Sequence, residues 1–220
     1  MSGFALEREQ TAGFVLAGGR SSRMGRDKSL TLFAGAPLIE TALSLLRQAG
    51  IPARIAGFRS DLSRHAEGIP DGVPDLGPLG GVCSALISSS ARWNVFLPVD
   101  MPLFPDSLLV ALLQRAAITN APITAAMLGG RVQPFPVVLE RPVLPLVQRR
   151  LSQGLTACYQ AWRSIPAEFG VHLDAVSVES MRQCGSIEHP LRLPPVYWFQ
   201  GANTREELAH LERLVLRGGF

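Results

Sequence analysis

Residues 14–28, FVLAGGRSSRMGRDK, join an apolar strand to a glycine turn and then to a basic, hydroxyl-rich loop that ends in Asp27-Lys28. Phe14, Val15 and Leu16 have the apolar density of a strand, and Ala17, Gly18 and Gly19 are small enough for the backbone to approach a ligand closely. Glycine takes up positive φ without steric cost, so successive N–H groups here can point at phosphate oxygens while Arg and Lys supply charge. Composition singles out one residue. The chain has 21 Lys plus Arg, and Lys28 is the only lysine among them. A compact ammonium on a flexible stem suits a non-planar phosphoryl group, whereas the arginine fork suits bidentate pairing.

The spacing rules out two general nucleotide motifs. A P-loop needs four residues between its glycines and then Gly-Lys-Ser/Thr, and G-x-G-x-x-G needs glycines that are not adjacent. Leu16, Ala17, Gly18, Gly19, Ser21, Arg23, Met24, Gly25, Asp27 and Lys28 do match, position by position, L-A-G-G-x-S-x-R-M-G-x-D-K. The stretch therefore resembles the signature of the sugar-nucleotide-type nucleotidyltransferases, in the form most like the molybdenum cofactor guanylyltransferases.

Outward from this loop the chain alternates strand and helix patterns, which predicts a parallel sheet. Helical spacing of Leu38, Ile39, Ala42, Leu45, Leu46 and Ala49 follows Pro37 and stops at Gly50, and Arg54 to Phe58 reads as a second strand. A second glycine-rich turn, Asp75-Leu-Gly77-Pro78-Leu79-Gly80-Gly81, precedes a helix expected from Val82 to about Ser90 and can present N–H groups to a nucleotide. Trp93 to Leu97 is a buried strand whose carboxyl end delivers Pro98-Val99-Asp100-Met101-Pro102. Ligands bind at that end of open parallel sheets, and a hard carboxylate there can hold Mg²⁺ or, alternatively, cap the next helix, expected from Pro105 to about Ala117.

Farther on, Ile123 to Met127 and Phe135 to Leu139 read as strands. Pro142 to Leu151 and Leu155 to Arg163 read as helices, with Arg131, Gln133, Arg149, Arg150 and Arg163 as candidate contacts for an anionic second substrate. Val196 to Phe199 is strand-like, and Asn203 with Glu206 has the spacing of a capping box opening a helix to about Arg217. His65 reads as a solvated loop residue, and His172 and His189 lack metal-ligand partners at useful spacing.

At 220 residues, 47% hydrophobic and 18% charged, the chain fits one α/β domain over residues 1–220. A formal charge of +3 with no clustered basic stripe speaks against nucleic acid, and no run is long and apolar enough to span a membrane. Cys83, Cys158 and Cys184 are odd in number and lack C-x-x-C spacing, as in a reducing cytoplasm.

The resemblance extends to D-x-G-P-L-x-G at the second turn, to P-x-D-x-P at Asp100, and to F-x-N-x-N-T-P-E-E-L at Phe199 to Leu208. It implies a single three-layer, Rossmann-like nucleotidyltransferase domain with a mostly parallel sheet. The implied activity is transfer of GMP from GTP to molybdenum-molybdopterin, with release of pyrophosphate. A CTP-dependent cytidylyltransferase and a nucleotide-binding module without turnover remain alternatives.

Carried over residue by residue, Leu16, Ala17, Gly18, Gly19, Lys28, Gly77, Pro78, Leu79 and Asp100 bind the nucleotide. Asp75 helps to select the base, with Asp71 as its rival. Lys28, Arg23 and Asp100 are catalytic, and Asp100 binds Mg²⁺. Other molybdenum cofactor biosynthesis proteins and acceptor oxidoreductases are the further partners. Three positions depart from the pattern: Gly201 replaces an Asn, Arg205 replaces a Pro, and Ala56-Gly57-Phe58-Arg59 stands where relatives have Asn-Arg. The contact of the first Asn is either missing or supplied by Gln200 or Asn203.

Overall fold

A computed structural model describes residues 10–18, 28–72 and 76–218. Its centre is strand β1, Thr11–Leu16, in which every residue except Ala12 is buried. Successive side chains point to opposite faces. Phe14 and Leu16 enter the core on one side and Val15 the other, which is why the strand reads as an unbroken apolar run rather than an alternation.

Eight further strands follow: β2 (Leu32–Phe33), β3 (Ala36–Pro37), β4 (Ala53–Ala56), β5 (Gly68–Ile69), β6 (Trp93–Pro98), β7 (Ile123–Leu128), β8 (Arg131–Glu140) and β9 (Asp174–Ser177). Strands β2 and β3 form a small hairpin. The others make one seven-stranded sheet in the order β5-β4-β1-β6-β8-β7-β9. All neighbours in it are parallel except β8, which is antiparallel to both β6 and β7.

Helices α1 (Leu38–Gln48) and α3 (Asp106–Thr119) cover one face, and α2 (Gly77–Ser88), α4 (Leu144–Ser152) and α5 (Cys158–Ser164) the other. The carboxyl-terminal part, with α6 (Val178–Gln183), α7 (Pro195–Trp198) and α8 (Arg205–Gly218), packs on the α1/α3 side through Val178, Trp198, Ala202 and Leu211. Phe14 and Phe96 stack across β1 and β6 with ring centroids 5.3 Å apart on the α2 side. This is the mostly parallel, three-layer architecture expected from the sequence.

The structure corrects several elements. Helix α2 begins at Gly77, five residues before the expected Val82, because Pro78 is tolerated in a first turn where its missing N–H is no loss. The expected strand at Val196–Phe199 is instead the helical turn α7. Pro194 and Pro195 cannot donate to a ladder, and the turn buries Trp198 with its Nε1 donating to Leu193 O at 2.8 Å. Strand β9 escaped the sequence reading, being only four residues long and half-buried throughout. His65 is not a solvated loop residue: its side chain is 5% exposed and its Nδ1 lies 2.6 Å from Glu40 Oε1.

Candidate active site

Strands β1 and β6 run side by side and end together, Val99 N donating to Leu16 O at 3.2 Å just before Asp100 leaves the sheet. The chain then returns from far away in sequence. Lys28, at the start of a 3-10 turn, donates from Nζ to Asp100 Oδ2 at 2.6 Å and to Asn203 Oδ1 at 2.7 Å. Lys28 and Asp100 are mostly sheltered, their side chains 15% and 21% exposed, so the pair is screened less than a surface ion pair. Ala202 N donates to Asp100 O at 2.8 Å and clamps the Phe199–Asn203 segment over the strand end. Asp100 does not cap the next helix, whose N-cap is Pro105.

Gly201 explains how Asn203 reaches this position. A Cβ on Gly201 would lie 2.7 Å from Asn203 Nδ2 and 3.0 Å from Asp100 Oδ2, so the glycine leaves room for the Asn203 amide to turn over the carboxylate. Of the two substitutes for the missing Asn, Asn203 is the one whose amide meets Lys28 beside Asp100.

Beside this cluster lies a floor of close-packed glycines. Gly57 has φ +78°, and a Cβ there would come within 2.5 Å of Gly18 N, so only glycine lets the end of β4 touch the turn after β1. Phe58 folds away from that turn over Gly68, where a Cβ would overlap its ring. Asp71 faces the floor: its Oδ2 is 3.2 Å from the position of a Gly18 Cβ, and its Oδ1 is 3.5 Å from that of a Gly81 Cβ. The residue as a whole is exposed, yet its carboxyl is turned inward, and partial desolvation raises its pKa above the ordinary carboxylate value.

Other expected contacts are placed as follows. Gly19, Arg23 and Asp75 lie outside the described residues. The Ala17 N–H is not open to a phosphate, because it donates to Ala56 O at 2.9 Å. In the first turn of α2, Gly77 and Pro78 are exposed, but Pro78 has no N–H and Leu79 is fully buried, so the expected contact of Leu79 is not open to a ligand and Gly77 is the residue there with an accessible N–H to offer. Arg149 and Arg150 pair with Glu168, Arg150 also donates to Ser164 Oγ, and Arg163 lies over the Tyr159 ring. Gln133 folds back to Arg131 O at 3.1 Å.

Sequence reasoning misassigned one part of the site. Asn203 with Glu206 was the expected capping box, whereas Thr204 is the cap: Glu207 N donates to Thr204 Oγ1 at 3.1 Å. In return Glu207 Oε2 accepts from the N–H groups of Thr204 at 3.0 Å and Asn203 at 2.7 Å. Two acidic residues in succession allow either register, and the Ser/Thr-first form of the motif was the signal for the right one. The shift by one residue frees the Asn203 side chain for Lys28.

A family model described as the MobA-like NTP transferase domain matches residues 13–166. The molybdenum cofactor guanylyltransferase of Acidovorax sp. (strain JS42) is 34% identical over 225 residues, covering 96% of this chain and 100% of that protein. The molybdenum cofactor guanylyltransferase of Xanthomonas euvesicatoria pv. vesicatoria (strain 85-10) is 49% identical over 110 residues, covering 49% of this chain and 56% of that protein. Among solved structures, molybdopterin-guanine dinucleotide biosynthesis protein A from Archaeoglobus fulgidus superposes with a TM-score of 0.73 at 19% identity, covering 94% of this chain and 100% of that one. At that identity the likeness speaks for the fold.

Proposed function

Because the chain belongs to the MobA-like NTP transferase family, we infer that it is a molybdenum cofactor guanylyltransferase, transferring GMP from GTP to molybdenum-molybdopterin. The observation that carries this reading at the level of side chains is the convergence of Lys28, Asp100 and Asn203 where β1 and β6 end, next to Gly18. An oxygen of the acceptor's terminal phosphate forms a bond to the α-phosphorus of GTP. The bond from that phosphorus to the bridging oxygen breaks, and its electron pair leaves with pyrophosphate. The nucleophile is already anionic near neutral pH, so no general base is required. Bringing two anions together makes positioning and charge neutralisation the main tasks.

Lys28 offers three donors to phosphate oxygens and neutralises charge on the transferring and leaving groups. Gly18, and the first turn of α2 through Gly77, would lie against the nucleotide, and Gly19 and Arg23 are assigned to the same task from the sequence motif alone. Lys28 itself tests whether the site suits a metal: its ammonium is a stand-in cation held by two hard oxygens, as Mg²⁺ would be. Asp100 would hold Mg²⁺, which when bound supplies charge neutralisation across the nucleotide phosphates.

Asp71 favours guanine over cytosine. Its carboxylate can accept from both N1–H and the 2-amino group of guanine, whereas cytosine presents one amino donor beside a ring nitrogen that would repel it. With Ala56, Gly57 and Phe58 sending no polar side chain to this floor, we assign base selection to Asp71 in preference to Asp75. The product would pass to acceptor oxidoreductases, and other molybdenum cofactor biosynthesis proteins would supply the acceptor.

Thermal unfolding with GTP, CTP, UTP or ATP, each with and without Mg²⁺, tests the reading, since a ligand of the native state raises its midpoint. GTP with Mg²⁺ is expected to stabilise selectively, and pyrophosphate to appear once molybdenum-molybdopterin is added. A larger shift with CTP would make the chain a cytidylyltransferase. Stabilisation by GTP with no pyrophosphate released would make it a binding module.

A further inference from the structure

In the free protein one ammonium occupies two oxygens of metal-binding type. Lys28 Nζ lies 2.6 Å from Asp100 Oδ2 and 2.7 Å from Asn203 Oδ1, and an anionic oxygen beside an amide oxygen is a donor set that Mg²⁺ and Mn²⁺ prefer. A divalent cation bonded to the same pair would meet a positive charge already seated there. Like charges in such a half-sheltered place repel strongly. Resting on the reading of Asp100 as the metal-binding carboxylate, we propose that Lys28 holds the metal's oxygen pair until a nucleoside triphosphate draws the ammonium away. The divalent cation then enters with the nucleotide or after it, and not before.

The oxygen pair exists because of residue 201. With no Cβ there, the Asn203 amide can lie over Asp100, whereas a Cβ would stand 2.7 Å from Asn203 Nδ2 and push it off. Asn203 is also free of duty as a helix cap, since Thr204 and Glu207 close the start of α8 between them.

The identity of residue 28 fits the same role. The backbone of Lys28 is set in a 3-10 turn whose Ser29 is buried, while the side chain has four rotatable methylenes and can exchange one anionic partner for another. An arginine would grip Asp100 with a planar fork and yield it less readily, so the one lysine of an arginine-rich chain stands where a cation has to let go. The triphosphate gives the ammonium a more highly charged partner. Nucleotide and metal therefore bind with positive coupling, each raising the affinity of the other by the same factor.

Binding of Mn²⁺ alone, followed by the loss of its free-ion electron paramagnetic resonance signal, separates this from a purely structural role for Lys28. Lys28→Met keeps the length of the stem and removes the charge. It is expected to bind Mn²⁺ without nucleotide at least about tenfold more tightly than the wild type. Adding Gly201→Ala or Asn203→Ala to Lys28→Met should take that gain away. In the wild type, GTP should raise Mn²⁺ affinity by a larger factor than in Lys28→Met. Equal or weaker binding of Mn²⁺ alone to Lys28→Met, in a wild type that binds Mn²⁺ together with GTP, overturns the exchange and leaves the proposed reaction standing. A wild type that binds neither Mn²⁺ nor GTP, separately or together, overturns both.

Discussion

His189 sits against Leu103 and Trp198 with both ring nitrogens committed. Leu191 N–H donates to Nδ1 at 3.0 Å, so the proton is on Nε2, which donates to Leu103 O at 3.0 Å. The ring stacks on Trp198 at 5.9 Å, and burial pushes its pKa below the ordinary histidine value, against opposing pulls from the Leu103 carbonyl and the Asp106 carboxylate. A base with a depressed folded pKa leaves the protein fully stable above the unfolded value of about 6.5. Stability is then lost as pH falls through the folded value, because protonation favours the unfolded chain. Denaturant unfolding between pH 7.5 and 5 should show a steeper loss for the wild type than for His189→Gln; parallel curves would mean that His189 does not titrate on unfolding. None of this was legible in the sequence, where His189 is one histidine in an irregular stretch. Lys28 and Asp100 were legible, because a unique lysine and an aspartate at a strand end have chemical meaning before any partner is known.

Helix α8 shows how an element can be read correctly and anchored wrongly. Its apolar spacing is plain in the sequence, but Asn203 and Thr204 are both good caps, each with a glutamate three residues on. The Ser/Thr-first form of the motif favours Thr204, and the fold agrees: Thr204 caps the helix while the Asn203 side chain accepts from Lys28. Thr204→Ala removes the hydroxyl that accepts from Glu207 N and should lower stability by about 1 kcal/mol. The midpoint of thermal unfolding should fall by roughly 2–4 °C, the scale for a chain of this size. Since the same turn holds Asn203 beside Asp100, the variant should also couple GTP and metal more weakly. A variant with unchanged midpoint and coupling would show that Thr204 neither caps α8 nor sets Asn203.

At the scale of the molecule, two cores on opposite faces of one sheet hold the site between them. Residues 28 and 100 are 72 positions apart and residues 28 and 203 are 175 apart, so the site exists only if the carboxyl-terminal part docks on the α1/α3 face. Leu211 on α8, 1% exposed, is part of that docking. Leu211→Ala should destabilise the protein by about 2–4 kcal/mol through lost burial and a residual cavity. Because this apolar side chain is buried in the core and supplies no polar atom to the Lys28 cluster, stabilisation by GTP with Mg²⁺ should persist. A loss of nucleotide stabilisation at full thermal stability would reverse that assignment.

By itself the sequence determined the class of fold, the strand that begins the candidate site, and Lys28 and Asp100 as two charged residues of chemical interest. Apolar runs and a glycine turn are local, and a strand end followed by Asp100 places a charge wherever the strand goes. Four things depended on tertiary structure: the pairing of Lys28 with Asp100, the inward turn of the Asp71 carboxyl, the burial of His189, and the meeting of Asn203 with Lys28 over Gly201. Each depends on which distant backbone comes within about 3 Å, the reach of a hydrogen bond or a close contact. That distance is fixed by how the two cores pack and is encoded by no single segment of the chain.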